Sequence, residues 1–238
     1  MNIKGVIIRV TPYKDSGAMV NVLSSDKVYG FYARNIYKVE NKNILITTPL
    51  MYAEFTFSDN KKDLLTFKEM TPILDTRAYM NDFAKLAAID FLNEVTARLF
   101  TDEDMPKIYP YLIKTLELIK EHKNILSLLL VYLAVSLKLN GFGLNVDSCV
   151  ITNSKSNIVG VSFADGGLVS KEAYRSSRHK LYTPEKIKII RSIFKVEAKD
   201  LDKISFTKRY VREVFEDLFI YTYDQTGIRF KSESLIKK

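Results

Sequence analysis

Arg9, Lys14, Arg34 and Lys38 stand at the ends of short β-rich runs in the opening stretch of the chain, with Lys42 just beyond. A second set of cations, Arg175, Arg178, Lys180, Lys186, Lys188, Arg191 and Lys195, crowds together near the other end and is weakly offset by acids. Fixed cations on a scaffold attract an anionic ligand, and that chemistry breaks no bond. The formal charge is +8, and from Lys171 onward 17 Lys and Arg face 10 Asp and Glu, so seven of the eight excess charges lie there. A chain rich in Ile, Lys and Asn and without tryptophan also collects lysine on solvated faces, and composition alone leaves that second reading open.

Residues that could carry bond chemistry are few. His122 and His179 are the only histidines, and His122 sits between Glu121 and Lys123, where a solvated side chain is expected. Asp102, Glu103 and Asp104 could be read as a metal-binding acidic cluster, but three acids at a helix start are what the macrodipole favours. No G-x-x-x-x-G-K-[ST] segment occurs, and no Ser-His-Asp arrangement stands out. Binding without catalysis, with no cofactor, is the expectation. One cysteine excludes an internal disulfide, and Met1 to Lys4 open a strand with no secretory pattern behind it, so a cytoplasmic location is expected.

The first cations need strands to position them. Residues 3–10, 18–23, 28–34, 44–57 and 64–70 are β-branched or aromatic runs divided by polar turns, and Pro12 is expected to end the first. Five short strands predict a compact antiparallel barrel. The oligonucleotide-binding (OB) fold is one common form, and an SH3-like barrel or a sandwich fits the pattern as well. Beyond Pro72 the period lengthens. Phe83, Leu86, Ala87, Phe91, Val95 and Leu99 predict a helix over 79–100, and a second is expected over 105–121 with Asp104 as its cap. Residues 125–139 are apolar nearly all round, as in a helix buried within a bundle, and Gly141 provides its stop. Residues 147–178 lose helical periodicity and read as an irregular insertion with a short β run at 158–163. Thr183 and Pro184 then open another helix, and a last one is expected over 207–223. The fold class is α+β: residues 1–76 form the barrel, 77–145 and 180–238 two parts of a helical domain, and 146–179 an insertion between them.

The insertion carries a recognisable spacing. Cys149-x-x-Thr152 is followed, after the Gly166-Gly167 turn, by Ser170-x-x-Ala173. With cysteine at all four positions this would be a four-thiolate zinc site. Set behind a Gly-x-Gly helix stop and an N-terminal barrel, this degenerate zinc module resembles the RecO family of bacterial recombination mediator proteins. Gly5 to Arg9, then Tyr13 and Asp15 ahead of Val20 to Leu23, resemble the family's opening strand pair, and Gly30 with Ala33 and Arg34 resembles its basic strand end. Arg212, Tyr221, Gly227, Lys231, Ser232 and Leu235 are similar to its closing helix and tail. Lys14 and Asp15 replace the usual turn glycine and glutamate, and three of four zinc ligands are absent. A single thiolate cannot hold a tetrahedral metal, so no zinc is expected and Cys149 is expected to be a small buried residue.

The resemblance implies a non-enzymatic accessory of recombinational DNA repair, in the cytoplasm at the nucleoid. It would bind single- and double-stranded DNA, anneal complementary strands, pair with RecR, contact the C-terminal tail of single-strand-binding protein and so act indirectly on RecA, without a membrane. On that reading Arg9, Lys14, Arg34, Lys38 and Lys42 of the barrel and Arg175, Arg178 and Lys180 of the helical side contact DNA, and one or two of Tyr13, Tyr29, Tyr32 and Tyr37 stack on bases. Two alternatives stay open at this point: an RNA-binding OB protein, and a protein scaffold whose basic surface recruits an acidic tail.

Overall fold

The computed structural model describes residues 1–37, 42–58, 65–121 and 124–236, with only the backbone for 42 and 43. The chain divides into two compact units, residues 1–121 and 122–238. In the first unit, β1 (Asn2–Tyr13), β2 (Gly17–Leu23), β3 (Val28–Ala33), β4 (Tyr52–Ser58) and β5 (Thr66–Leu74) close into a barrel in the order β1-β2-β3-β5-β4. β4 returns antiparallel to β1, from Asn2 opposite Thr56 to Val6 opposite Tyr52, and a parallel contact of Tyr32 with Thr66 joins β3 to β5. The closed five-stranded sheet is the OB arrangement and excludes the sandwich.

Alternation builds the barrel core. Ala53, Phe55 and Phe57 of β4 point inward between less buried neighbours, and Phe31 of β3 lies at the centre, fully buried. Its ring centroid is 5.0 Å from that of Phe57, 5.1 Å from Phe67 and 6.0 Å from Phe55. Gly5 lets β2 come close, because a Cβ there would sit 2.4 Å from Val22 Cγ1 and 2.7 Å from the Leu23 carbonyl oxygen.

Several expected boundaries move. β1 runs through Pro12, which pairs with Ala18, because its pairing with β4 covers only Asn2 to Val6 and leaves an edge where a missing N–H costs no ladder bond. Residues 44–47 are not strand: a 3-10 helix spans Lys42–Thr47, and Leu50 takes a left-handed φ of 53° before β4 begins. β5 ends at Leu74, four residues later than expected. The first long helix, α1 (Phe83–Leu99), starts after a 3-10 turn at Thr76–Tyr79, with the Asp82 side chain accepting from the Lys85 N–H. Ala87, Phe91 and Val95 of its expected apolar face are buried, but Phe83 and Leu86 are exposed, and Ala88 and Leu92 are buried in their place. The second helix, α2 (Tyr109–Ile119), follows a 3-10 turn at Met105–Lys107; Asp104 does not cap it, because its carboxylate is taken by Thr101 and Lys107.

The second unit is built on α3 (Ile125–Leu139), whose residues 127–137 are all buried. It stops in a Schellman turn: Gly141 has φ +85°, its N–H donates to the Lys138 carbonyl, and the Phe142 N–H donates to that of Leu137. α4 (Pro184–Lys195) has the expected Thr183 cap, accepting from the Lys186 N–H. α5 (Lys208–Thr226) ends at Gly227 with φ +71°, and α6 (Glu233–Ile236) closes the unit. The insertion is more regular than expected: β6 (Asn145–Cys149), β7 (Ile158–Ser162), β8 (Gly167–Ser170) and β9 (Lys180–Leu181) form a sheet in the order β6-β8-β7-β9. No helix among the described residues is long and apolar enough to cross a membrane.

Phe31→Ala removes the ring on which three other phenylalanines pack, and buried Phe→Ala changes cost about 3–5 kcal/mol. A lowered urea midpoint for the unit-one transition, followed by circular dichroism, is the expected result; an unchanged midpoint would show that the barrel does not rely on this core.

Candidate nucleic-acid interface

Cross-strand partners in a sheet share a face. The register therefore places Arg9, Asn21 and Gly30 in one outward row across β1, β2 and β3, and Thr11, Met19 and Tyr32 in the next. Tyr13 pairs with Gly17 in the row beyond, and Tyr32 folds over that glycine, where a Cβ would meet its hydroxyl at 2.3 Å. The Tyr13 and Tyr32 rings meet edge to face with centroids 5.7 Å apart, and Lys14 Nζ lies 5.4 Å from the Tyr13 centroid. Tyr13 is 49% exposed, Tyr37 42% and Met19 37%, so this end of the barrel presents aromatic and thioether surface to solvent.

Two turns hold the cations there. The β1–β2 turn and the turn after β3 are tied by the Ser16 hydroxyl donating to Asn35 Oδ1 at 2.8 Å and by the Tyr37 N–H donating to the Ser16 carbonyl at 3.2 Å. Lys14 and Asn35 both take φ +57°. The left-handed conformation costs a residue with a Cβ roughly 1–2 kcal/mol, which the tied turns offset at Lys14. Lys14 and Arg34 are thus exposed on neighbouring turns. Arg9, on the same face, has Asp102 at 4.0 Å, an exposed pair that solvent screens. Lys38 and the side chain of Lys42 lie outside the described residues. Of the four tyrosines, Tyr29 is committed elsewhere: its hydroxyl donates to Asp26 at 2.6 Å, and that bond, with burial second, pushes its phenol up to about 12. Met19 was legible as a face residue from its alternation with buried Ala18 and Val20, although nothing in its type signals binding.

The cations of the second unit are differently employed. Arg175 Nη1 donates to the carbonyls of Glu172 and Tyr174 at 3.1 and 2.8 Å. Arg178 is exposed and adds a Coulombic pull on Asp165, whose carboxyl is lowered chiefly by the Ser162 hydroxyl. Lys180 is paired with buried Asp217, which also accepts from the Tyr182 hydroxyl at 2.5 Å. Burial, and then Asp217, push the Tyr182 phenol above its ordinary range. His179 is buried, and its Nδ1 accepts from the Arg175 N–H at 2.9 Å, which orients the loop.

The four positions of the zinc-like spacing do come together. Cys149 is fully buried, and the Thr152 N–H donates to its sulfur at 3.4 Å. The hydroxyls of Thr152 and Ser170 lie 3.1 Å apart, and Ala173 packs with Cys149 and Val169 in a small core. Burial raises the Cys149 thiol, while bonds from Thr152 and Ser170 outweigh it and lower the thiol below its usual value. One sulfur, two hydroxyls bonded to each other and a methyl group do not fit a zinc ion. Cysteine at all four of these neighbouring positions would restore the four-thiolate spacing. Thr152→Cys/Ser170→Cys/Ala173→Cys is expected to take up one Co²⁺ or Zn²⁺ per chain, with the absorption of tetrahedral thiolate cobalt. A folded triple variant without that spectrum would show that the backbone has drifted from metal geometry.

Comparison with known proteins follows the same lines. The profile described as the C-terminal part of recombination protein O matches residues 80–234. Proteins called DNA repair protein RecO from Streptococcus pyogenes serotype M49 (strain NZ131) and serotype M1 are each 23% identical over 240 residues, covering 98% of this chain and 93% of theirs. The match spans both the barrel and the helical unit, and the chain belongs to the recombination protein O (RecO) family of DNA repair proteins.

Proposed function

We propose that this protein is a recombinational repair mediator that binds single- and double-stranded DNA through residues 1–76 and anneals complementary strands. It works with RecR, contacts the C-terminal tail of single-strand-binding protein, and so assists RecA loading on coated DNA at the nucleoid. No bond is made or broken in this role. The observation that carries the reading is the barrel end where Lys14 lies over the Tyr13 ring of the Tyr13–Tyr32 pair and Arg34 is exposed on the neighbouring turn. Annealing brings two polyanions together, and cations that neutralise phosphates lower the repulsion while releasing counterions, without reading bases. An exposed ring beside those cations adds a sequence-tolerant stacking platform. Residues 146–179 act as an internal brace held by packing and hydrogen bonds in place of metal.

Annealing of complementary oligonucleotides coated with single-strand-binding protein, followed by fluorescence over a salt series, tests this. Wild type should accelerate annealing and lose the effect steeply with salt. Lys14→Glu/Arg34→Glu should slow it at least tenfold with the fold unchanged by circular dichroism. For single strands the slope of log affinity against log salt should become shallower by about 0.7 for each phosphate no longer neutralised. If wild type binds neither strand at low salt, the DNA reading fails.

A further inference from the structure

Partners sort the cations of the second unit into two groups. Lys180, Lys186 and Lys195 are held by Asp217, Glu213 and Asp147. Lys155, Lys188 and Arg191 have no ion-pair partner among the described residues. These three line one open cavity of about 360 Å³ between the start of β7 and one face of α4, together with Asn157, Ile158 and Ile187. Arg191 Nε is buried there without a hydrogen-bond partner, a costly state for a donor. Asp147 is already paired with Lys195, whose bond is the first cause of its lowered carboxyl, and Lys155 and Arg191 add only smaller Coulombic pulls to it. Glu185, one turn before Lys188 on α4, makes no ion pair with it among the described residues.

We propose that this cavity is a phosphate-binding subsite for a nucleic-acid strand, separate from the barrel face. The proposal rests on the DNA-binding reading above and adds a second place of contact. Three cations without ion-pair partners, Lys155 from the loop before β7 and Lys188 and Arg191 from α4, line one cavity, and their charges can neutralise successive phosphates of a strand, each bearing one charge. A lone carboxylate is satisfied by a single guanidinium fork and leaves the lysines unused. Ile158 and Ile187 give the sugar between phosphates an apolar surface. The contact is to backbone, so it is indifferent to sequence and sensitive to salt.

Lysine footprinting of the full chain tests the assignment: acetylation of Lys155 and Lys188 is quantified by mass spectrometry with and without a short oligothymidine. The expected result is several-fold protection of both lysines, in wild type and in Lys14→Glu/Arg34→Glu at saturating oligonucleotide. Lys188→Gln/Arg191→Gln should bind with a salt slope shallower by about 1.4, the share of two phosphates. Protection of Lys14 without protection of Lys155 and Lys188 would overturn the subsite and leave the barrel reading standing. Protection by an Asp- and Glu-rich peptide but not by the oligonucleotide would overturn it in favour of a protein tail. Absence of oligonucleotide binding to any form would overturn both readings. The footprint is read on wild type, so it decides the matter even if the double variant unfolds.

Discussion

Strand β3 can turn only one of its faces inward, and that constraint fixes both the core and the surface of the barrel. Phe31 and Ala33 are fully buried, and Phe31 packs within the aromatic cluster. Period two then forces Gly30 and Tyr32 outward, opposite Asn21 and Met19. A one-residue slip would bury Tyr32 and expose Phe31, so the core and the outward Tyr32 face are set by one register. Tyr32 also serves the turn: its ring covers Gly17, and any side chain there would displace it. Through that contact, core packing reaches the exposed Tyr13 ring and the cation beside it.

The second unit depends on a different device. α3 is apolar on every side and needs cover from α4 and α5, and the sheet of the insertion lies along the same frame. Buried Asp217 connects these parts, because it receives Lys180 from β9 and the Tyr182 hydroxyl from the segment leading into α4. Breaking such a pair by removing one partner strands a buried charge, which makes it a strong positional constraint even where its net stabilisation is small. Lys180 is thereby a structural residue as well as a surface cation.

Much of this was legible in the residues. Alternation around Phe31 and Phe55, the all-apolar run of α3, Gly141 and the Thr183-Pro184 start each act within a few positions, and each appears where the pattern puts it. Tertiary context overrode the rest. Ile44 to Ile46 have strand composition but fold as a 3-10 turn, with Ile46 buried in the barrel core. Phe83 and Leu86 keep helical spacing yet face solvent, because α1 buries the neighbouring stripe through Ala88 and Leu92. The basic cluster was visible as a run of types, but its division into paired and unpaired members was not. Asp217 lies 37 positions from Lys180, and Lys155 stands outside the run altogether.

The make-up of the insertion, residues 146–179, bears on how this protein meets its surroundings. Zinc–thiolate centres couple a fold to metal supply and to oxidants, since thiolates that hold the ion can be converted to disulfides or sulfenic acids and release it. Here the corresponding site has one sulfur, fully buried, closed in by Thr152, Ser170 and Ala173. Neither zinc starvation nor a burst of peroxide finds a ligand set to dismantle there. The insertion is held instead by the hydrogen bonds of Thr152 and Ser170 and by the packing of Ala173 and Val169 around that one buried sulfur, so its fold answers to side-chain packing and not to metal supply.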